Sequence, residues 1–126
     1  MPLKRSNECA GKAHPKTVAL AKLIAMKFPG CRIGRIYDCT KVAGSKTLSH
    51  HAYGRAVDIF PKNLAQGDEI MKWCIRKTLQ HDITVVIWNR KIWSTLQPFM
   101  RRYPGVHPHT DHVHISQKLL KGYGLE

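Results

Sequence analysis

Ile83-Thr84-Val85-Val86-Ile87-Trp88-Asn89-Arg90-Lys91-Ile92-Trp93-Ser94 decides the fold class. ITVVIW is a β-branched run and predicts a central strand; Asn89-Arg90-Lys91 turns the chain, and Lys91 to Ser94 returns it as a second strand. Upstream, Ala56 to Phe60 (AVDIF) predicts a strand stopped by Pro61, and downstream His112 to Ser116 (HVHIS) alternates like a half-buried strand. In CRIGRIYDC, Ile33, Ile36 and Tyr37 suggest a further short strand. Two helices are expected. His14 to Phe28 carries Val18, Leu20, Ala21, Leu23, Ile24 and Phe28 at near-helical spacing, with Pro15 in the first turn and Pro29-Gly30 as the stop. Gln66 to Gln80 should bury Ile70, Met71, Trp73, Cys74 and Leu79, with Asp68 and Glu69 in its first turn. Thr40 to Leu48 reads as a loop, and Leu96 to Tyr103 as helical or irregular. The expected fold is α+β: one domain over residues 1–126, a mostly antiparallel central sheet, and helices on one side.

The charge is unusual. Lys and Arg total 21 against eight acidic residues, for a formal net charge of +13 among 126 residues. Such a chain should adhere to polyanions, whether nucleic acid, an anionic cell wall or an acidic membrane. Met1-Pro2-Leu3-Lys4-Arg5-Ser6 is followed by no apolar run, so no secretory signal is expected, and no stretch is long enough to span a bilayer. Synthesis in the cytoplasm follows as an expectation. None of the four cysteines, Cys9, Cys31, Cys39 and Cys74, forms a C-x-x-C pair, which argues against a cysteine zinc site. Cys31 with Cys39 could staple a loop, but most of the four are expected as buried or free thiols.

The informative residues are the eight histidines, of which His107, His109, His112 and His114 fall together and His50 is followed by His51. His112 and His114 are two apart, so a strand projects both rings from one face. Asp58 stands between the apolar Val57 and Ile59 in a strand bound for the core. A carboxylate there is costly unless it meets a cation or strong donors. A metal would explain it; so would an ion pair with one of the many Arg or Lys residues.

Ser49-His50-His51-Ala52-Tyr53-Gly54-Arg55-Ala56-Val57-Asp58 fits S-x-H-x-x-G-x-A-x-D at every fixed place, and His112-Val113-His114 follows much later. In these two motifs the chain resembles the zinc peptidases of the lysostaphin, D-Ala-D-Ala peptidase and hedgehog superfamily. It looks nearest to the branch of D-Ala-D-Ala carboxypeptidases and phage L-alanyl-D-glutamate endopeptidases. The resemblance covers roughly residues 33–116 and implies one zinc per chain, held by His51, Asp58 and His114. Three ligands of mixed His and carboxylate type leave a fourth position for water, as catalytic zinc requires. Gly54 lets the chain turn between His51 and Asp58, and the small Ala56 leaves room for the metal.

The resemblance leaves the proton carrier open. One branch has a Glu three residues before the last ligand, where Asp111 stands here; another uses the first His of H-x-H, here His112; a third has a His five residues before the ligand, here His109. His112 is the expected base, with Asp111 its main competitor; His50 and His107 are expected on the surface. Ser49 is a substrate-side candidate by resemblance, although loop capping would also account for it. Arg35 and Arg55 are candidates for a substrate carboxylate, within a surplus of basic residues in which neither stands out. Trp88 and Trp93 flank the hairpin turn and could wall a groove or anchor the core.

The expected function is hydrolysis of amide bonds in peptidoglycan peptides by a monomeric, phage-endolysin-like or bacterial cell-wall enzyme. It would reach the wall through a permeabilised membrane and be held there by its charge. Two rivals remain: a metal-dependent nuclease on the same scaffold, and a nucleic-acid-binding zinc domain, for which no nucleic-acid-binding signature is present.

Overall fold

The computed structural model describes residues 12–37, 54–105 and 109–118. Six strands form one sheet in the order β1-β2-β6-β3-β4-β5, and every neighbouring pair is antiparallel. The strands are β1 (Arg32–Ile33), β2 (Ala56–Phe60), β3 (Ile83–Trp88), β4 (Lys91–Ser94), β5 (Arg101–Arg102) and β6 (Val113–Gln117). With α1 (Pro15–Lys27), α2 (Leu64–Arg76) and the single-turn α3 (Thr78–His81), the fold is α+β. Among the described residues no helix is long and apolar enough to cross a membrane.

Alternation assigns the two faces. Val57 and Ile59 of β2, Val113 and Ile115 of β6 and Val86 and Trp88 of β3 share one core with Leu20, Ala21 and Ile24 of α1 and Ile70, Met71 and Cys74 of α2. The helices therefore cover one side of the sheet. Gly67 allows α2 to approach β3 closely, because a Cβ there would lie 2.1 Å from the Trp88 ring. Directly opposed residues of antiparallel strands point the same way, so Asp58, His114, Ile87 and Ile92 share the other face.

Capping explains where the helices begin. His14 is the N-cap of α1, its Nδ1 accepting from the Lys16 N–H at 3.1 Å. Asn63 caps α2 by accepting from Gln66 N at 2.8 Å, while Gln66 Oε1 accepts from Lys62 N at 2.8 Å. This reciprocal cap starts the helix at Leu64 rather than Gln66, so Asp68 and Glu69 fall beyond the first turn. Asp68 instead accepts the indole N–H of Trp88 at 2.9 Å. The helix also breaks at Lys77, and α3 turns Leu79 outward to 95 % exposure, contrary to its expected place on the inner face. Leu23, expected with the apolar residues of α1, is likewise exposed at its edge.

Asn89 and Arg90 both adopt positive φ, 48° and 67°, the backbone of a tight hairpin turn between β3 and β4. The stretch Leu96 to Tyr103 is irregular rather than helical, apart from the short strand β5. Ile36 and Tyr37 lie beyond β1, although Gly34 N donates to Asp58 O and Asp58 N donates to Arg35 O, each at 2.8 Å, so the chain still runs beside β2. Cys31 and Cys74 carry free thiols. Cys9, Cys39 and the loop 40–48 lie outside the described residues.

Candidate functional site

The polar face of the sheet assembles the site. Asp58 on β2 stands directly opposite His114 on β6, a pairing fixed by four consecutive register positions. Asp58 Oδ1 lies 3.3 Å from His114 Nδ1 and 3.7 Å from His112 Nε2, and Asp58 Oδ2 lies 3.4 Å from Arg35 Nε. Asp58 is 4 % exposed and His114 9 %. Both explanations for a carboxylate in this strand are thus represented: Asp58 faces histidines through one oxygen and a guanidinium through the other. Gly34 makes room beside it, since a Cβ there would come 2.4 Å from the Phe60 ring.

The other nitrogen of His114 matters as much. His114 Nε2 is 2.7 Å from the hydroxyl of Ser116, which is fully buried. A hydroxyl both donates and accepts, so Ser116 serves either tautomer of the ring. When it accepts from Nε2–H, Nδ1 is left with its lone pair toward Asp58, the arrangement that a metal-ligating histidine needs. Two donors bound to one tetrahedral zinc at ~2.1 Å lie about 3.4 Å apart, and the 3.3 Å between Asp58 Oδ1 and His114 Nδ1 fits that spacing. Among the described residues no three His, Cys, Asp or Glu side chains form a complete metal group. His51, the third ligand implied by the motif, lies outside the described residues, as do Ser49, His50 and His107.

The three base candidates come together. β6 begins at Val113, so Asp111 and His112 sit in the bend before it and are free of strict alternation. His112 Nδ1 donates to Asp111 Oδ1 at 2.7 Å, while its Nε2 points toward Asp58. Asp111 therefore orients His112 instead of standing apart from it. His109, held at φ 56°, brings its ring centroid to 4.8 Å from that of His112 and 5.6 Å from that of His114. Its carbonyl accepts from Asn89 N at 2.7 Å, which ties the segment to the hairpin turn. Phe60 packs on His112 and Tyr103 on His109, at 5.5 and 5.2 Å between centroids. Burial raises the pKa of Tyr103, keeping it a neutral phenol.

Residues 9–114 match the family model described as VldE, C-terminal domain. The chain belongs to that family. The matched span takes in His51, Asp58, His109, Asp111 and His112 and ends on His114, so every motif residue named above falls within it. No curated protein and no solved structure matches the chain.

Two substrate-side expectations are corrected by burial. Trp88 is 1 % exposed and belongs to the core under α2, so it walls no groove. Arg55 is fully buried, and its Nε donates to Lys118 O at 2.8 Å, which gives it a structural position away from solvent. Trp93 is half-buried and packs against the core as well. Gly54 has the positive φ, 72°, that its place in the motif suggested; a Cβ there would also lie 2.3 Å from Lys12 O. Sequence reasoning passed over Ser116, although its place two residues after His114 in a strand puts it on the same face. It also passed over the pairing of Arg35 with Asp58, which arises from strand neighbours distant in sequence.

Proposed function

We propose that this chain is a zinc-dependent peptidase that hydrolyses amide bonds in peptidoglycan peptides, with His51, Asp58 and His114 as the metal ligands. The observation that carries the reading is the buried Asp58–His114 pair at 3.3 Å, with Ser116 on the far nitrogen of the imidazole. The two sequence motifs supply the third ligand. Zinc, when bound, supplies Lewis acidity toward the amide carbonyl and acidifies the attacking water.

The chain's own groups account for the rest. His112 Nε2 takes a proton from the attacking water and returns it to the leaving amine nitrogen. Asp111 holds the opposite Nδ1–H and stabilises the imidazolium that forms, as a carboxylate does for a catalytic histidine elsewhere. Phe60 and His109 pack on the His112 ring and limit its rotation. The net charge of +13 favours a second reading, phosphodiester cleavage in nucleic acid by the same residues.

One experiment separates the two. Zinc-loaded protein is incubated with peptidoglycan sacculi and with DNA, with and without a chelator. New amino groups released from sacculi, absent with chelator, are expected; cut DNA beside intact sacculi would select the nuclease. Elemental analysis should find about one zinc per chain, lost in His51→Ala and retained in Cys74→Ser.

A further inference from the structure

A register row crosses the polar face of the sheet. Asp58 is opposite His114, His114 opposite Ile87, Ile87 opposite Ile92, and Ile92 opposite Arg101. The row starts at the histidine cluster and ends at a guanidinium. Three inter-strand steps of about 4.8 Å separate His114 from Arg101, or about 14 Å in all.

Arg101 is held in place. Its Nη1 donates to the carbonyls of Gln97 and Phe99 at 2.8 and 3.4 Å, and its Nη2 donates to Ser94 Oγ at 3.1 Å. The guanidinium carbon stands 5.5 Å from the Phe99 ring centroid. The Nε–H and one Nη2 hydrogen have no partner among the described residues. Two parallel N–H groups of a fixed guanidinium match the two oxygens of a carboxylate. The surroundings favour an anion. Residues 89–105 contain no Asp or Glu to compete for the guanidinium. Beside the guanidinium, Phe99 exposes apolar surface, at 56 %. The same segment returns to the site through Tyr103, whose ring meets His109.

We infer that Arg101 is a specificity-determining residue that anchors a carboxylate of an extended acidic peptide, with the exposed Phe99 ring taking a neighbouring side chain. The register row sets the Arg101 backbone about 14 Å from that of His114, which places the carboxylate several residues from the bond to be cut. That position relative to a scissile bond rests on the peptidase reading; the carboxylate contact itself does not.

The test is binding. Two peptides, acetyl-Ala-Leu-Ala-Ala-Glu-amide and its Gln counterpart, are titrated into the full chain, as purified and again with chelator. Binding is followed by calorimetry and by the Arg Nε–Hε resonances. The Glu peptide should bind about tenfold more tightly than the Gln peptide, a usual worth for a charge-assisted pair, and should shift one Nε–Hε signal. Arg101→Gln should erase that preference and Arg102→Gln should keep it. Equal affinity of wild type for the two peptides, binding of neither, or a preference that survives Arg101→Gln would overturn the inference. The wild-type comparison holds even if Arg101→Gln disturbs the loop carbonyls it anchors. Glu preference through Arg101 in a protein that neither binds zinc nor cuts sacculi would keep this anchor and discard the peptidase.

Discussion

The two faces of β2 and β6 are made from alternate residues of the same short strands, and they are buried almost equally. On one face Val57, Ile59, Val113 and Ile115 are fully buried beneath the helices; on the other, Asp58, His114 and Ser116 are 4, 9 and 0 % exposed. The energetics are opposite. Apolar burial stabilises at roughly 25 cal/mol per Å², whereas a buried carboxylate and imidazole return their desolvation cost only through partners. Those partners are present: Arg35 and His114 for Asp58, and Ser116 for His114. Burial on the first face holds the fold, and burial on the second holds a set of polar groups in fixed geometry.

Substitutions should separate the faces cleanly. The largest effect expected is on catalysis: His112→Ala should reduce turnover by about two to four orders of magnitude, the usual worth of general acid–base catalysis, with zinc retained and thermal stability little changed. Asp111→Ala should be milder, because it removes the group that orients His112 and leaves Nε2 in place. A zinc-replete, inactive Asp111→Ala beside a near-normal His112→Ala would reverse these roles. Steady-state kinetics with metal analysis on both variants decides the matter.

On the apolar face the effect should fall on stability instead. Ile115→Ala should cost about 2–5 kcal/mol, as cavity formation in a packed core does, read by denaturant unfolding, while zinc content per folded chain stays the same. Loss of zinc affinity in that variant would show that the two faces are coupled. Ser116→Ala should do the converse, weakening zinc about 10- to 100-fold, as loss of a group behind a metal-ligating histidine does, with a smaller change in unfolding free energy. Competition with a chromophoric chelator measures it.

The smallest effect expected is a pH dependence that belongs to the helical side. Burial, then the nearby Arg55 and Lys16, lower the pKa of His14 below its ordinary 6.5. The unfolded chain therefore binds the proton first, and stability should decline as pH falls through about 6.5 toward the depressed folded value. Protonation of Nδ1 also removes the acceptor that caps α1. Asp82, held below its ordinary 3.8 mainly by its hydrogen bond from Lys16, adds its own loss only at lower pH. His14→Asn keeps a capping oxygen without the titration, and melting curves between pH 8 and 5 should be flatter for it than for wild type.

Much of this architecture was legible because local periodicity and burial agree. AVDIF, ITVVIW and KIWS are strands with the bounds the sequence indicates, since β-branched runs end there at Pro61, at the Asn89-Arg90 turn and at polar residues. The misread segments are those set by side-chain hydrogen bonds or by distant neighbours. Asn63 starts α2 early through its cap, Lys77 interrupts the helix and reverses Leu79, and β5 exists because β4 offers it an edge.

For the site, the sequence by itself determined that Asp58, His114 and Ser116 each share one face of their strands, because a period of two is a local property of the backbone. Only the tertiary structure decided who meets whom. Asp58 and His114 are 56 residues apart and face each other through strand register. Arg35 reaches Asp58 because the chain after β1 lies beside β2. Asp111 joins His112 because the backbone bends before β6 begins. Burial of Trp88 and Arg55 was decided the same way, since an aromatic ring or a guanidinium has no inherent address, and the packing of α2 or the carbonyl of Lys118 supplies one.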